Sequence, residues 1–323
     1  MRCLIFCLLI ALLTVGCGNY EKQNKEMGMA YQVEDDYGNI VKFNSKPQRV
    51  YASTLSIEEV LVDLLEPERF AAISEDALDE RYSLIVKKAT PVAKKVPAKI
   101  NVEGVLALQP DLVIVQENLN KSQINALKDV GLKVFVTKVP TNLDMVEKRI
   151  LKISQALGEP EKGQKLVDDM NAKLQRVTDV VGKLPEEKRK IAMAYSLLGA
   201  FGSKEGLFHD ICVRSGLRNG AAMAGLVRGE HLSKEKILAI NPELFIFPRF
   251  SSTQKGDVER MRQEVLNDPS LQTVKAVQQK RYILINDRYR YSASQHMADA
   301  ITLISQQAYP ELYNLPKGRQ NND

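Results

Sequence analysis

One fifteen-residue pattern occurs twice in this chain. Residues 101–115 read NVEGVLALQPDLVIV, and residues 233–247 read SKEKILAINPELFIF. Without gaps, Glu103 aligns with Glu235, Leu106 with Leu238, Ala107 with Ala239, Pro110 with Pro242, Leu112 with Leu244 and Ile114 with Ile246. Asp111 and Glu243 share a charge at one position. Each copy encodes the same succession: a capping residue (Asn101, Ser233), a short helix, a proline that stops it, and an apolar strand. A duplicated helix–strand unit of this kind implies two related α/β lobes. Between the copies runs one long amphipathic segment, Glu159 to Leu184. Pro160 suits its first turn, where a missing N–H costs nothing. Leu166, Met170, Leu174, Val177, Val181 and Leu184 recur in steps of three and four and form one stripe. About 25 residues at roughly 1.5 Å each make a rod near 37 Å. We read it as a strut joining the lobes.

The remaining periodicities agree. In the first lobe the chain predicts strands at Val50–Ser53, Phe70–Ile73, Asp111–Val115 and Lys133–Thr137. Ser56 is placed as the cap of a helix from Ile57 to Leu65, and further helices run from Asn101, Lys121 and Asn142. In the second lobe strands are expected at Lys190–Tyr195, Leu244–Phe247 and Tyr282–Ile285. Helices are expected at Glu205–Arg214 and from about Ser294 to Tyr309. Strands alternating with helices imply mostly parallel sheets. The expected fold is α/β, with two Rossmann-like lobes at 46–158 and 185–323 joined by the connecting helix 159–184.

The first 17 residues stand apart. Arg2 precedes an almost wholly apolar run, Cys3 to Val15, which is too short to span a membrane and suits an export signal. Leu13-Thr14-Val15-Gly16-Cys17 resembles a bacterial lipobox, with Thr14 where Leu is usual. That resemblance implies that Cys17 is acylated and anchors the mature protein to an extracytoplasmic membrane face. Residues 18–45 then form a tether and the start of the first lobe. Cys3 and Cys7 leave with the signal, and Cys212, in an apolar helical context, reads as a buried thiol. The net charge of +5 is spread among acids, with no basic stripe for nucleic acid.

The repeat, the strut, the exported start and the phrase Lys46-Pro47-Gln48-Arg49-Val50 together resemble the substrate-binding proteins of ABC importers for iron complexes and vitamin B12. Leu207 to Cys212 and Ile285 to Leu303 extend the likeness, which covers roughly residues 45 to 313. The resemblance implies a monomer that holds a metal chelate between its lobes, moves little on binding, and hands its cargo to a permease with ATPase subunits. It also implies that Glu103 and Glu235 meet arginines on the permease, where charge sets register more than affinity. The bland alternative is two solvated glutamates favoured by helix dipoles.

In open α/β sheets ligands bind beyond the carboxyl ends of the strands. On that rule the candidate ligand residues are Ser56, Gln116 and Lys138 in the first lobe, and Tyr195, Arg249, Arg288, Tyr289, Arg290 and Tyr291 in the second. The Arg–Tyr alternation offers cationic forks beside flat rings, which suits an anionic, partly aromatic chelate such as a ferric siderophore or haem. Ser294-Gln295 stand where many siderophore binders carry Pro-Arg, and the chain has no Trp to face a corrinoid. Cobalamin and an oxyanion such as molybdate stay open as cargo, and so does an exported two-domain enzyme acting on an anionic small molecule. Catalysis finds little support. His209, His231 and His296 are isolated, without metal-ligand spacing, and Gly199–Lys204 lacks the spacing of a phosphate loop. No cofactor or resident metal is assigned.

Overall fold

The structure is a computed structural model that describes residues 30–228, 230–249, 255–290 and 293–314. Cys17, the signal segment and Tyr291 lie outside the described residues. The first lobe holds a parallel sheet in the order Val50–Ala52, Leu112–Gln116, Val134–Thr137. A short parallel pair, Ile73–Ser74 with Lys95–Val96, lies beyond Val50, which also bridges Phe70. An antiparallel hairpin, Tyr31–Glu34 with Ile40–Phe43, precedes them. Asp35 holds the hairpin turn by accepting from Tyr37 N (2.8 Å) and Asn39 N (2.9 Å), and Asp36 N donates to Val136 O. The second lobe holds parallel strands in the order Arg218–Asn219, Ile191–Ser196, Leu244–Pro248, Tyr282–Ile285, with Gly199–Phe201 antiparallel on Ile191–Ser196.

Each sheet is buried on both faces, and period-two alternation sorts its side chains between two cores. Val50, Ala52, Leu112, Ile114 and Phe135 face inward with Ala192, Ala194, Leu244, Ile246 and Ile283. Tyr51, Val113, Val115, Val134 and Val136 form a separate outer layer of the first lobe. Met193, Tyr195, Phe245 and Phe247 do the same in the second. The inner set is one continuous cluster running through both lobes, and the strut lies in it. The strut spans Pro160–Val181 and buries Gly163, Val167, Met170, Leu174, Val177 and Val181. It packs on the helix Leu143–Ala156 so closely that a Cβ on Gly163 would stand 2.0 Å from Ser154 Oγ. The last helix, Met297–Ala308, packs along the strut's length from the second lobe.

The two copies of the repeat adopt one conformation. Asn101 Oδ1 accepts from Gly104 N, and Ser233 Oγ accepts from Lys236 N, each capping the helix that follows. The helices Val102–Ala107 and Lys234–Ile240 end at left-handed residues, Gln109 (φ 48°) and Asn241 (φ 50°), immediately before the prolines. The shared acid does the same work in both. Asp111 accepts from Gln48 N and Arg49 N, and Glu243 accepts from Ile191 N, so each ties its strand to the start of the neighbouring one.

Two local expectations change. The helix predicted from Ile57 begins at Leu55, so Thr54 takes the cap position and Ser56 lies inside the first turn. The Arg–Tyr run, expected only as a segment beyond a strand end, is in its described part a helical turn, Asp287–Arg290.

Candidate functional site

The carboxyl ends of both parallel sheets open onto the space between the lobes. On the first-lobe side, Lys138 follows the strand Val134–Thr137, and its ammonium lies 5.9 Å from the Tyr37 ring centroid. The Tyr37 hydroxyl donates to Glu117, whose other carboxylate oxygen accepts from Val139 N. On the second-lobe side, the turn between Ile191–Ser196 and Gly199–Phe201 exposes Leu198 at 79%, and His231 Nδ1 pairs with Leu198 O.

A cavity of about 550 Å³ spans the lobes beside these groups. Val139, Pro140 and Thr141 form one wall. Ala200–Ser203, Glu205–Phe208 and Leu226–Arg228 form the other, with Ala293 and Glu230 completing it. The walls are predominantly apolar. The polar margin mixes sign: Arg228 makes no ion pair among the described residues, and Glu205 and Glu230 are exposed. Gly202 (φ 107°) is required here, because a Cβ would come within 3.1 Å of Asn219 and 3.2 Å of Phe208.

Behind the cavity lies a buried polar network that pins the lobes together. Arg149 sits on the helix Leu143–Ala156 and is 2% exposed. Its guanidinium donates to Ala293 O and to Ser56 O (3.2 Å), and burial pushes its pKa down to about 10. Ser294 Oγ donates to Glu59 Oε2 (2.7 Å), and Gln295 Nε2 donates to Glu59 O and Asp63 Oδ2. The Ser294-Gln295 pair that departs from the siderophore-binder pattern thus fastens the second lobe to the first. A further tie joins the lobes where Asp210 accepts from Leu143 N and pairs with Arg214, which reaches Asp144.

The predicted ligand residues divide. Lys138 is exposed, and Arg249 is half-buried at the end of Leu244–Pro248. Arg288 reaches across the lobes to donate to Glu80 O (3.2 Å), and Tyr289 packs against the inner core. Arg290 ends the helical turn Asp287–Arg290. Gln116 is buried at the last position of its strand, with its backbone N donating to Ser53 Oγ. Ser56 contacts Thr54 Oγ1 and Arg149. Tyr195 requires correction. Alternation turns its ring away from the cleft into the outer core, 5.3 Å from Phe245 and 5.4 Å from Phe247. Arg149 escaped the sequence reading although a signal existed: it falls among Val146, Ile150 and Ile153 on the buried face of its helix. The cavity walls left no such signal, since their segments are distant in sequence.

Glu103 and Glu235 are exposed in the first turns of the repeat-related helices. One turn on, Leu106 and Leu238 are exposed at 43% and 36%, so each helix presents an acid followed by a leucine. The Glu235 carboxyl is held below the usual range by hydrogen bonds from its own N–H and from Ser233.

A family model described as "Periplasmic binding protein" matches residues 53–289. An uncharacterized ABC transporter substrate-binding lipoprotein, YvrC of Bacillus subtilis, is 26% identical over 193 residues, which cover 57% of this chain and 59% of that protein. The chain therefore spans less than two thirds of that relative's length. The apo periplasmic heme-binding protein RhuT of Roseiflexus has a similar fold, with a TM-score of 0.68 at 20% identity over 82% of this chain and 99% of that one. So has the molybdate-bound MolA of Haemophilus influenzae, with a TM-score of 0.70 at 18% identity over 88% and 93%. The match to the family model extends from the first strand's carboxyl end, through the strut, to the Asp287–Arg290 turn, and the chain belongs to the periplasmic binding protein family.

Proposed function

We propose that this protein is the extracytoplasmic substrate-binding component of an ABC importer, tethered through Cys17, and that its cargo is a metal chelate. An iron complex such as a ferric siderophore or haem fits best. The observation that carries the choice is the predominantly apolar wall of the interlobe cavity. A bare oxyanion needs several converging donors, whereas Val139, Pro140, Phe201 and Phe208 suit an organic shell around a metal. Lys138, Arg249 and Arg288 stand at the strand ends where the charged periphery of such a cargo would lie. The exported start and the likeness to YvrC support the placement outside the cytoplasm.

A thermal-shift panel on the full chain, with haem, ferric siderophores, cobalamin and molybdate, tests the cargo. A ligand at 100 times its dissociation constant adds about 2.7 kcal/mol, and the iron chelates are expected to give the rise. A rise with molybdate alone would replace the chelate reading with the oxyanion one, and a rise with cobalamin alone would move the cargo to corrinoids. Turnover of any of them would return the protein to the enzymes. The tether has its own test: Cys17→Ser should release the protein from membranes and abolish incorporation of labelled fatty acid.

A further inference from the structure

The internal repeat allows each position in one lobe to be compared with its counterpart in the other. Ala52 pairs with Ile114 in the first sheet and Ala194 with Ile246 in the second, so the next residues, Ser53 and Tyr195, correspond. Val113 and Val115 correspond to Phe245 and Phe247. In the second lobe these positions form a closed aromatic cluster, with Tyr195, Phe245 and Phe247 all buried. In the first lobe a serine and two valines stand in place of the three rings. The space they leave is not refilled. A cavity of about 480 Å³ remains on the outer side of the first sheet, within the size range of small-molecule sites.

The lining is mixed: Val105, Val113, Val115 and Leu127 supply an apolar part, and Lys99, Asn101, Asn120 and Gln123 belong to a polar part of similar extent. Ser53, Thr54 and Asn118 stand at its mouth, at the carboxyl end of the sheet. Tyr51 also lines it. That side chain is 5% exposed, and its hydroxyl makes no hydrogen bond among the described residues. Burial pushes its pKa up to about 12, so the hydroxyl keeps its proton. Unlike the Tyr195 hydroxyl, it is not sealed from solvent.

We propose that this cavity is a second binding site, distinct from the interlobe cavity, which takes one aromatic ring bearing an oxygen: a ligand of the phenol class. The ring lies where the second lobe carries its own Tyr195 and Phe247 rings, against Val113 and Val115, and its oxygen accepts from the Tyr51 hydroxyl.

Phenol is the probe, titrated into the full chain and followed by the methyl resonances of Val105, Val113, Val115 and Leu127. Saturable shifts confined to these methyls are expected. Copying the second lobe into the first, by Ser53→Tyr with Val115→Phe, should abolish the shifts, and Val115→Phe alone serves should the pair fail to fold. Tyr51→Phe should weaken phenol by about three- to tenfold and leave toluene unchanged, a split that a purely structural tyrosine would not produce. Absence of saturable shifts, a long-lived water on Tyr51 with no response to phenol, or equal phenol affinity in the filled variant would each overturn the proposal.

Discussion

At the scale of single residues, buried charge is what most sets this protein's behaviour. Glu58, in the first turn of Leu55–Leu64, accepts from Ser74 N and Ser74 Oγ, both at 2.6 Å. Burial nevertheless outweighs these bonds and, with Asp76 and Glu59 adding repulsion, raises its pKa from 4.5 to about 7. Between those values the native state keeps a proton that the unfolded chain has released, so stability falls as pH rises through that window. The loss is at most about 3 kcal/mol. Glu58→Gln should remove that slope, making the variant relatively more stable at about pH 8 than at about pH 5 in urea titrations. Equal slopes for both proteins would show that Glu58 titrates normally. Such residues are hard to read from sequence, because burial of a charge is decided by neighbours far along the chain. Arg149 is half an exception, since its place on an apolar helical face betrays it. Tyr195 shows the opposite failure. It lies in the expected strand, one residue before its end at Ser196, but the phase of alternation, which decides inner from outer face, is fixed by the partner strands.

At the scale of elements, the repeat was legible because each part is local chemistry. A cap, a few helical residues, a proline and an apolar run specify the unit without reference to the rest of the fold. The Asp287–Arg290 turn was not, since four residues carry too little periodicity to separate a helical turn from a loop. The two repeat helices also carry the docking reading. Each projects an exposed glutamate and, one turn later, an exposed leucine from a separate lobe, so a permease could read both lobes at once. Glu103→Arg with Glu235→Arg should lower uptake by about tenfold or more and leave ligand affinity unchanged. Both groups are exposed, so stability should not move. Uptake equal to wild type would reduce the pair to solvated helix-start acids.

At the scale of the whole molecule, one inner core, the strut and the Arg149–Glu59–Ser294 network join two similar lobes. The two-lobed α/β plan was readable from periodicity, because layers follow from which faces are apolar. The cavity was not, because its walls meet only after the lobes are assembled from segments near residues 140, 204 and 227. That cavity is also where the functional account is most exposed to refutation. The most direct test is amide hydrogen exchange of the full chain with and without the iron chelate that raises its melting temperature. The account predicts slowed exchange in 139–141, 199–208 and 226–228, little change in the strut, and none on the helices bearing Glu103 and Glu235. Protection elsewhere, with these segments unaffected, would place the cargo outside the cleft and contradict it.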